Sequence, residues 1–260
     1  MNKQEIEIKE VGSYFQIDND GFLVNPASLD KIQDEWKPMI NEVVEVYKKQ
    51  FGNNLKNVYI RGSVAKGEAI KNISDLDTFA YVDLEKEDIV KNWAKDDAIN
   101  LKNKYPFVEH FEFVAKPLSS FLENKLILNQ SVSVYGESLN VPKVKIGKET
   151  LRHIQFLETL MNMFEKRIRV DNENEIEHYC DWFMKNILRS GFDLVMERQN
   201  KYTRDLYLCY KSFSEFYPEK ENVMKEVLYY ALNPTIDKEK IIEIKNDIVP
   251  FLLNEFKNQH

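Results

Sequence analysis

The chain has 260 residues, 43% hydrophobic and 30% charged, with a formal net charge of -7. Such proportions describe an ordinary globular protein, long enough for two modest domains, and the negative balance argues against binding nucleic acid through an overall basic field. Two cysteines, Cys180 and Cys209, are too few for a disulfide framework, so a reduced, cytoplasmic setting is the expectation. The opening MNKQEIEIKEVG lacks an apolar signal core, and no apolar run approaches membrane-spanning length.

In chain order, SYFQIDNDGFLV (13–24) reads as a small hairpin around the turn signal DNDG. Asn25-Pro26 reads as a helix start, with Pro26 at the first helical position. The helix face would carry Ile32, Trp36, Met39, Ile40, Val43, Val44 and Tyr47 and end near Phe51-Gly52. A short strand NVYI follows, then a Gly-Ser turn, then a strand over Leu76–Val82. Residues 85–104 read as a helix with Ile89, Trp93 and Ile99 inward, 107–115 as a strand stopped by Pro117, 118–129 as a helix and VSVYG as a last strand. From about Lys148 the pattern is helical throughout, with helices near 149–169, 175–199, 202–216, 219–231 and 237–256 and breaks at Asp171-Asn172, Pro218 and Asn233-Pro234. The division expected is an α+β domain over 1–147 and an all-helical domain over 148–260.

The chemistry concentrates in NVYIRGSVAKGEAIKNISDLDTFAYV (57–82). Side chains alternate along a strand, so Asp75 and Asp77 point the same way and repel unless something positive stands between them. A divalent ion meets that need, because Mg²⁺ takes hard oxygen ligands and is often held by one or two carboxylates plus substrate phosphates. Upstream, Gly62 permits close backbone approach and Ser63 is placed to cap a short helix whose amides can hold phosphate oxygens. Gly67 permits a second tight turn. A lone D-x-D pair is common and can simply sit at a solvated strand end; its order after a strand and a Gly-Ser turn is what makes it specific.

GSVAKGEAIKNISDLD resembles the signature of the DNA-polymerase-beta-like nucleotidyltransferase superfamily, and its second glycine and Ser74 resemble the bacterial small-molecule members, the aminoglycoside and lincosamide nucleotidyltransferases. The resemblance covers about 26 residues directly. It implies a nucleotidyltransferase fold, a short mixed sheet with flanking helices, followed by a helical bundle domain. It implies that Gly62 and Ser63 hold the phosphates of ATP, and that Asp75 and Asp77 hold two Mg²⁺ ions with a third carboxylate from a neighbouring strand. Glu109 and Glu112 are the candidates. Phe111 and Phe113 share one strand face, Glu109 falls on that apolar face by parity and Glu112 on the other, so Glu112 is preferred as metal ligand or general base; a bulge would exchange them. Arg61 departs from the small or apolar residue often found before Gly-Ser, and is read as a substrate contact or as the partner of an acidic surface. Lys66 is a phosphate candidate or a solvated lysine.

In the helical half, KNILRSGFDLVMERQNKYTRDLYLCY mixes basic and apolar residues at helical spacing. Lys185, Arg189, Lys201 and Arg204 are candidates for triphosphate binding, Arg189 first, and Tyr202 or Tyr207 for stacking on a base. The alternative for Arg189 is an ion pair with Asp193 or Glu197. Asp171, Glu173, Glu175 and Glu177 would suit a cationic acceptor or simply a helix N-terminus. His110 is a mild site candidate, and His153 reads as helix surface. The leading expectation is transfer of AMP from ATP to a hydroxyl of a small molecule, such as an aminoglycoside-like antibiotic, by a monomer or homodimer away from membranes. The competing classes are transfer to a protein acceptor and a non-catalytic nucleotide-binding module.

Overall fold

The computed structural model describes residues 10–169 and 172–259. Met1–Lys9, Val170, Asp171 and His260 lie outside them, so the readings of the opening segment and of Asp171 do too. The chain divides into two compact units, Gln16–Val144 and a second made of Lys145–His260 with the segment ending at Phe15.

The first unit is built on a four-stranded mixed sheet in the order β3-β2-β1-β4, with β1 Leu55–Arg61, β2 Leu76–Val82, β3 Phe111–Pro117 and β4 Ser131–Gly136. β1 runs antiparallel to β2 and β4, and β2 runs parallel to β3. Alternation along the strands makes two apolar faces. Val58, Ile60, Leu76, Ala80, Val82 and Phe111 pack with Met39, Ile40, Val43 and Tyr47 of α1, Lys37–Phe51. Tyr59, Phe79 and Tyr81 form a smaller cluster on the other face with Leu128, Leu118 and Phe121. The remaining helices of this unit are the five-residue α2, Gly62–Lys66, then α3, Lys95–Lys104, and α4, Lys125–Leu128.

Several boundaries differ from the sequence reading, each for a local reason. Residues 17 and 23 make a single antiparallel bridge, and Asp18 Oδ1 accepts the Asp20 and Phe22 N–H groups to tighten the turn. The helix expected from Pro26 begins only at Lys37, after 3₁₀ turns at Leu29–Lys31 and Asp34–Trp36. Asn25 spends its side chain elsewhere: Oδ1 accepts the Ala27 N–H two residues on, and Nδ2 donates to the Ser131 carbonyl. The expected 85–104 helix is a 3₁₀ turn at Lys86–Asp88 and then α3, which turns Leu101 inward and leaves Ile99 exposed. β3 starts at Phe111 rather than at 107 and does end at Pro117.

The second unit is helical: α5 Leu157–Arg167, α6 Glu173–Asp193, α7 Met196–Gln199, α8 Leu206–Phe216, α9 Glu221–Leu232 and α10 Lys238–Gln259. The long α6 is central to it, burying Ile176, Cys180, Phe183, Met184, Ile187, Leu188 and Phe192. Asn172 caps α6, its side-chain oxygen accepting the Asn174 and Glu175 N–H groups. Phe183 stacks on Phe164 of α5 with ring centres 4.1 Å apart. Residues 13–15, read as the first arm of a hairpin, are tied instead to this unit. Phe15 N–H donates to the Tyr202 carbonyl, Ser13 N–H to Asp205, and the Thr203 hydroxyl to the Ser13 carbonyl. Among the described residues no helix is long and apolar enough to cross a membrane.

Candidate active site

The sheet register sets the first cluster. Arg61, the last residue of β1, faces Asp77 of β2, and Asp77 faces Glu112 of β3. The three side chains therefore form one row across three strands, on the sheet face that carries Tyr59, Phe79 and Tyr81. The row is braced from the opposite face. The Tyr47 hydroxyl of α1 bonds Thr78 Oγ1 at 3.0 Å and accepts the Val114 N–H at 3.1 Å, while Thr78 donates to the Glu112 carbonyl. Neighbours of both carboxylates are thus fixed through one buried phenol.

Arg61 Nη2 donates to Glu112 Oε2 at 2.7 Å and to Asp77 Oδ1 at 3.4 Å. Its guanidinium keeps Asp77 and Glu112 from facing each other uncompensated. One cation does not suffice: burial pushes the Asp77 carboxyl well above the usual range, Arg61 pulls it back, and the Glu112 and Asp75 carboxyls push it up again. Asp75, just before β2, is also pushed up, first by burial and then by Glu109 and Glu112, with His110 opposing. The approach to Asp75 is ordered by Ser74, whose Oγ accepts the Ile70 N–H and whose carbonyl accepts the Glu109 N–H.

The Gly-Ser turn lies directly against this row. Gly62 has φ +76°, and a Cβ there would meet Asp77 Oδ2 at 2.4 Å, so glycine is required both by backbone conformation and by room. α2 starts here, but Arg61, not Ser63, occupies the N-cap position, and no side chain caps the helix. Ser63 serves through its carbonyl, which accepts the Gly67 and Glu68 N–H groups at the helix end. Gly67, at φ +77°, closes α2 in the left-handed conformation. Lys66 stands 3.9 Å from Glu68. Glu109 lies ahead of β3, exposed and 3.7 Å from Lys102, while Glu112 is in the row. Glu112, His110 and Glu109 also border an open groove of about 680 Å³ with Trp93, Lys102 and Phe113.

Among the described residues no three His, Cys, Asp or Glu side chains already converge on one metal position. The donor set nevertheless fits a divalent cation. It is all carboxylate oxygen, it is partly buried, and burial first, then neighbouring carboxylates, hold Asp75 and Asp77 above their usual range.

The helical unit carries a cluster of opposite character. Arg189 of α6 is largely buried, its Nε has no partner, and burial and then Arg204 lower its pKa to about 10. It makes no ion pair with Asp193 or Glu197. Asp193 instead accepts the N–H groups of Arg152, His153 and Ile154 at 3.1, 2.7 and 3.0 Å. Burial raises the Asp193 carboxyl to about 7 against the pull of those N–H groups. His153, expected on a helix surface, is mostly enclosed; burial, then Arg204 and Arg189, lower its imidazole to about 3. The other candidates are placed differently. Lys185 is paired with Asp181 at 2.7 Å, Lys201 lies over the Tyr14 ring at 4.9 Å, and Tyr202 is buried with its ring edge-on to Phe15. Asp193, read as an alternative ion-pair partner of Arg189, instead holds the turn that carries His153 inward, and nothing in the local spacing of His153 marks that burial.

A mixed sheet presenting Asp77 and Glu112 in register beside a Gly-Ser turn, followed by a helical unit, defines a nucleotidyltransferase-type enzyme. Residues 40–230 match the family described as nucleotidyltransferase domain, most of the chain, and the protein belongs to that family. No curated protein matches. Among solved structures, the spectinomycin adenyltransferase AAD(9) from Enterococcus faecialis, crystallised with ATP and spectinomycin, is similar in fold. It has 14% sequence identity and a TM-score of 0.53, over 85% of this chain and 99% of that one.

Proposed function

We propose that this nucleotidyltransferase moves AMP from ATP to a hydroxyl of a small molecule and releases pyrophosphate. The observation that carries the reading is the Arg61–Asp77–Glu112 row packed directly against the glycine turn at Gly62. The fold likeness to an adenyltransferase that was crystallised with ATP and spectinomycin supports the choice of ATP and of a small acceptor.

In this reading the Gly62-Ser63 backbone and the Ser63 hydroxyl hold the phosphate chain. Asp75, Asp77 and Glu112 would hold magnesium, which when bound neutralises charge on the transferring phosphoryl group and on the leaving pyrophosphate. Glu112 accepts the proton of the acceptor hydroxyl as its oxygen attacks the α-phosphorus in line with the departing pyrophosphate. The division of labour proposed is catalysis in the sheet unit, expected over 1–147 and compact over Gln16–Val144, and nucleotide and substrate binding in the helical unit, expected over 148–260 and joined by residues 13–15. Within the helical half the phosphate role narrows to Arg189 and Arg204. Lys185 and Lys201 are engaged with Asp181 and Tyr14, and the Tyr202 ring is committed to packing.

The test is a panel of hydroxylated small molecules, aminoglycosides and lincosamides included, incubated with ATP and Mg²⁺. The expected result is pyrophosphate release together with a product heavier by one adenylyl group, both lost in Asp77→Ala. Labelling of the chain itself or of a protein partner, with no small-molecule product, would overturn the acceptor class.

A further inference from the structure

The acid row holds a cation of its own. We propose that Arg61 is a built-in counter-cation for Asp77 and Glu112 that a divalent ion must displace, so that free metal alone binds poorly. The inference rests on reading those two carboxylates as metal ligands.

Four observations carry it. Arg61 bridges the two acids with one nitrogen, Nη2, at 2.7 Å from Glu112 and 3.4 Å from Asp77. Its place is fixed by pairing: β1 and β2 set Arg61 beside Asp77, and β2 and β3 set Glu112 next in the row. Among the described residues these acids are its ion-pair partners, so the guanidinium has no competing attachment to hold it elsewhere. Finally, the three side chains retain 32%, 28% and 36% of their exposure, which leaves the guanidinium a path to water without disturbing the strand that carries it. A guanidinium is charged at any ordinary pH, so proton loss cannot remove it from the row. Only another cation, or a cation arriving with its nucleotide, can take its place. The consequence is selection: an ion without ATP must give up water and displace Arg61, whereas metal delivered with a triphosphate brings additional attachments of its own.

Mn²⁺ binding to the full chain without nucleotide, read by electron paramagnetic resonance, tests this. Arg61→Gln is expected to bind Mn²⁺ about tenfold more tightly than wild type, the scale of one charge-assisted hydrogen bond. Its melting temperature without metal should fall, because two carboxylates then face each other, and Mn²⁺ should restore it by more than in wild type. Arg61→Lys keeps a charge on a shorter-reaching, better-hydrated group and should lie between the two; it also serves if the Gln variant does not fold. Unchanged or weaker Mn²⁺ binding in both variants overturns the inference. Asp77→Asn separates this failure from that of the site. If Asp77→Asn abolishes Mn²⁺ binding while the Arg61 variants leave it unaltered, the metal site stands and only the role of Arg61 falls. If Asp77→Asn binds Mn²⁺ as wild type does, both fall.

Discussion

The two units hold charge clusters of opposite imbalance. In the sheet unit Asp77 and Glu112 share Arg61, Asp75 adds a third carboxyl close by, and Asp75 and Asp77 are held above their ordinary range. In the helical unit Arg189 and Arg204 stand near His153, and the enclosed carboxylate of Asp193 has an oxygen already engaged by three backbone N–H groups. In one region two acids draw on a single guanidinium nitrogen; in the other a buried guanidinium Nε has no partner. A chain that only needed stability would pair such groups internally, because a buried unpaired charge costs several kcal/mol by rough reckoning. In the function proposed above, the acid row receives cations and the arginine cluster receives phosphate oxygens.

The comparison is most sharply broken at Asp77. Asp77→Asn should lower kcat by about a thousandfold or more with the circular dichroism spectrum unchanged, on the scale of losing an essential acid–base or metal-holding group. Gly62→Ala should come next. The added Cβ would lie 2.4 Å from Asp77 Oδ2 on a backbone with φ +76°, so kcat should fall about a hundredfold and urea denaturation should show a loss of about 1–3 kcal/mol. On the helical side Arg189→Met should raise the KM for ATP about tenfold while raising the melting temperature, since an unpaired buried guanidinium gives way to an apolar chain of similar length. An unchanged KM with a lower melting temperature would mean that Arg189 serves the core instead.

A pH experiment probes the same surplus. The His153 imidazole falls from an ordinary 6.5 to about 3 in the fold. Its neutral form is the one the fold accepts, so its contribution to stability is complete above pH 6.5 and is lost as pH falls from there toward 3. Chemical denaturation of wild type and His153→Gln from pH 7 to 4 should show wild type losing more stability on acidification. The smallest effect is expected at Glu109, exposed and outside the row: Glu109→Gln should change kcat less than about threefold, against about a hundredfold for Glu112→Gln.

Some of this was legible in sequence because it depends on strand parity alone. The alternation in SDLDTFAYV and FEFVA separates Glu112 from Phe111 and Phe113, and that separation is what the sheet displays. Arg61 stood out as a departure, but its partners depend on the register of three strands, which no local pattern encodes. The start of α1 was misread because Asn25-Pro26 carries a genuine capping signal that is satisfied in a turn, with Asn25 also bonded to Ser131, 106 residues away. His153 looked exposed by spacing, but it follows the Asp193-bound turn into the protein. Residues 13–15 read as a hairpin arm by composition, whereas their backbone partners, Tyr202, Thr203 and Asp205, lie far along the chain. In each case the miss is a long-range hydrogen bond overriding a sound local signal.

The most direct measurement is anomalous scattering from crystals grown with Mn²⁺ and a non-hydrolysable ATP analogue. The account predicts manganese bound by carboxylate oxygens of Asp77 and Glu112, with the Arg61 guanidinium moved off them and a phosphate against Gly62-Ser63. Manganese ligated elsewhere, with Arg61 still bridging the two acids beneath a bound nucleotide, would contradict it.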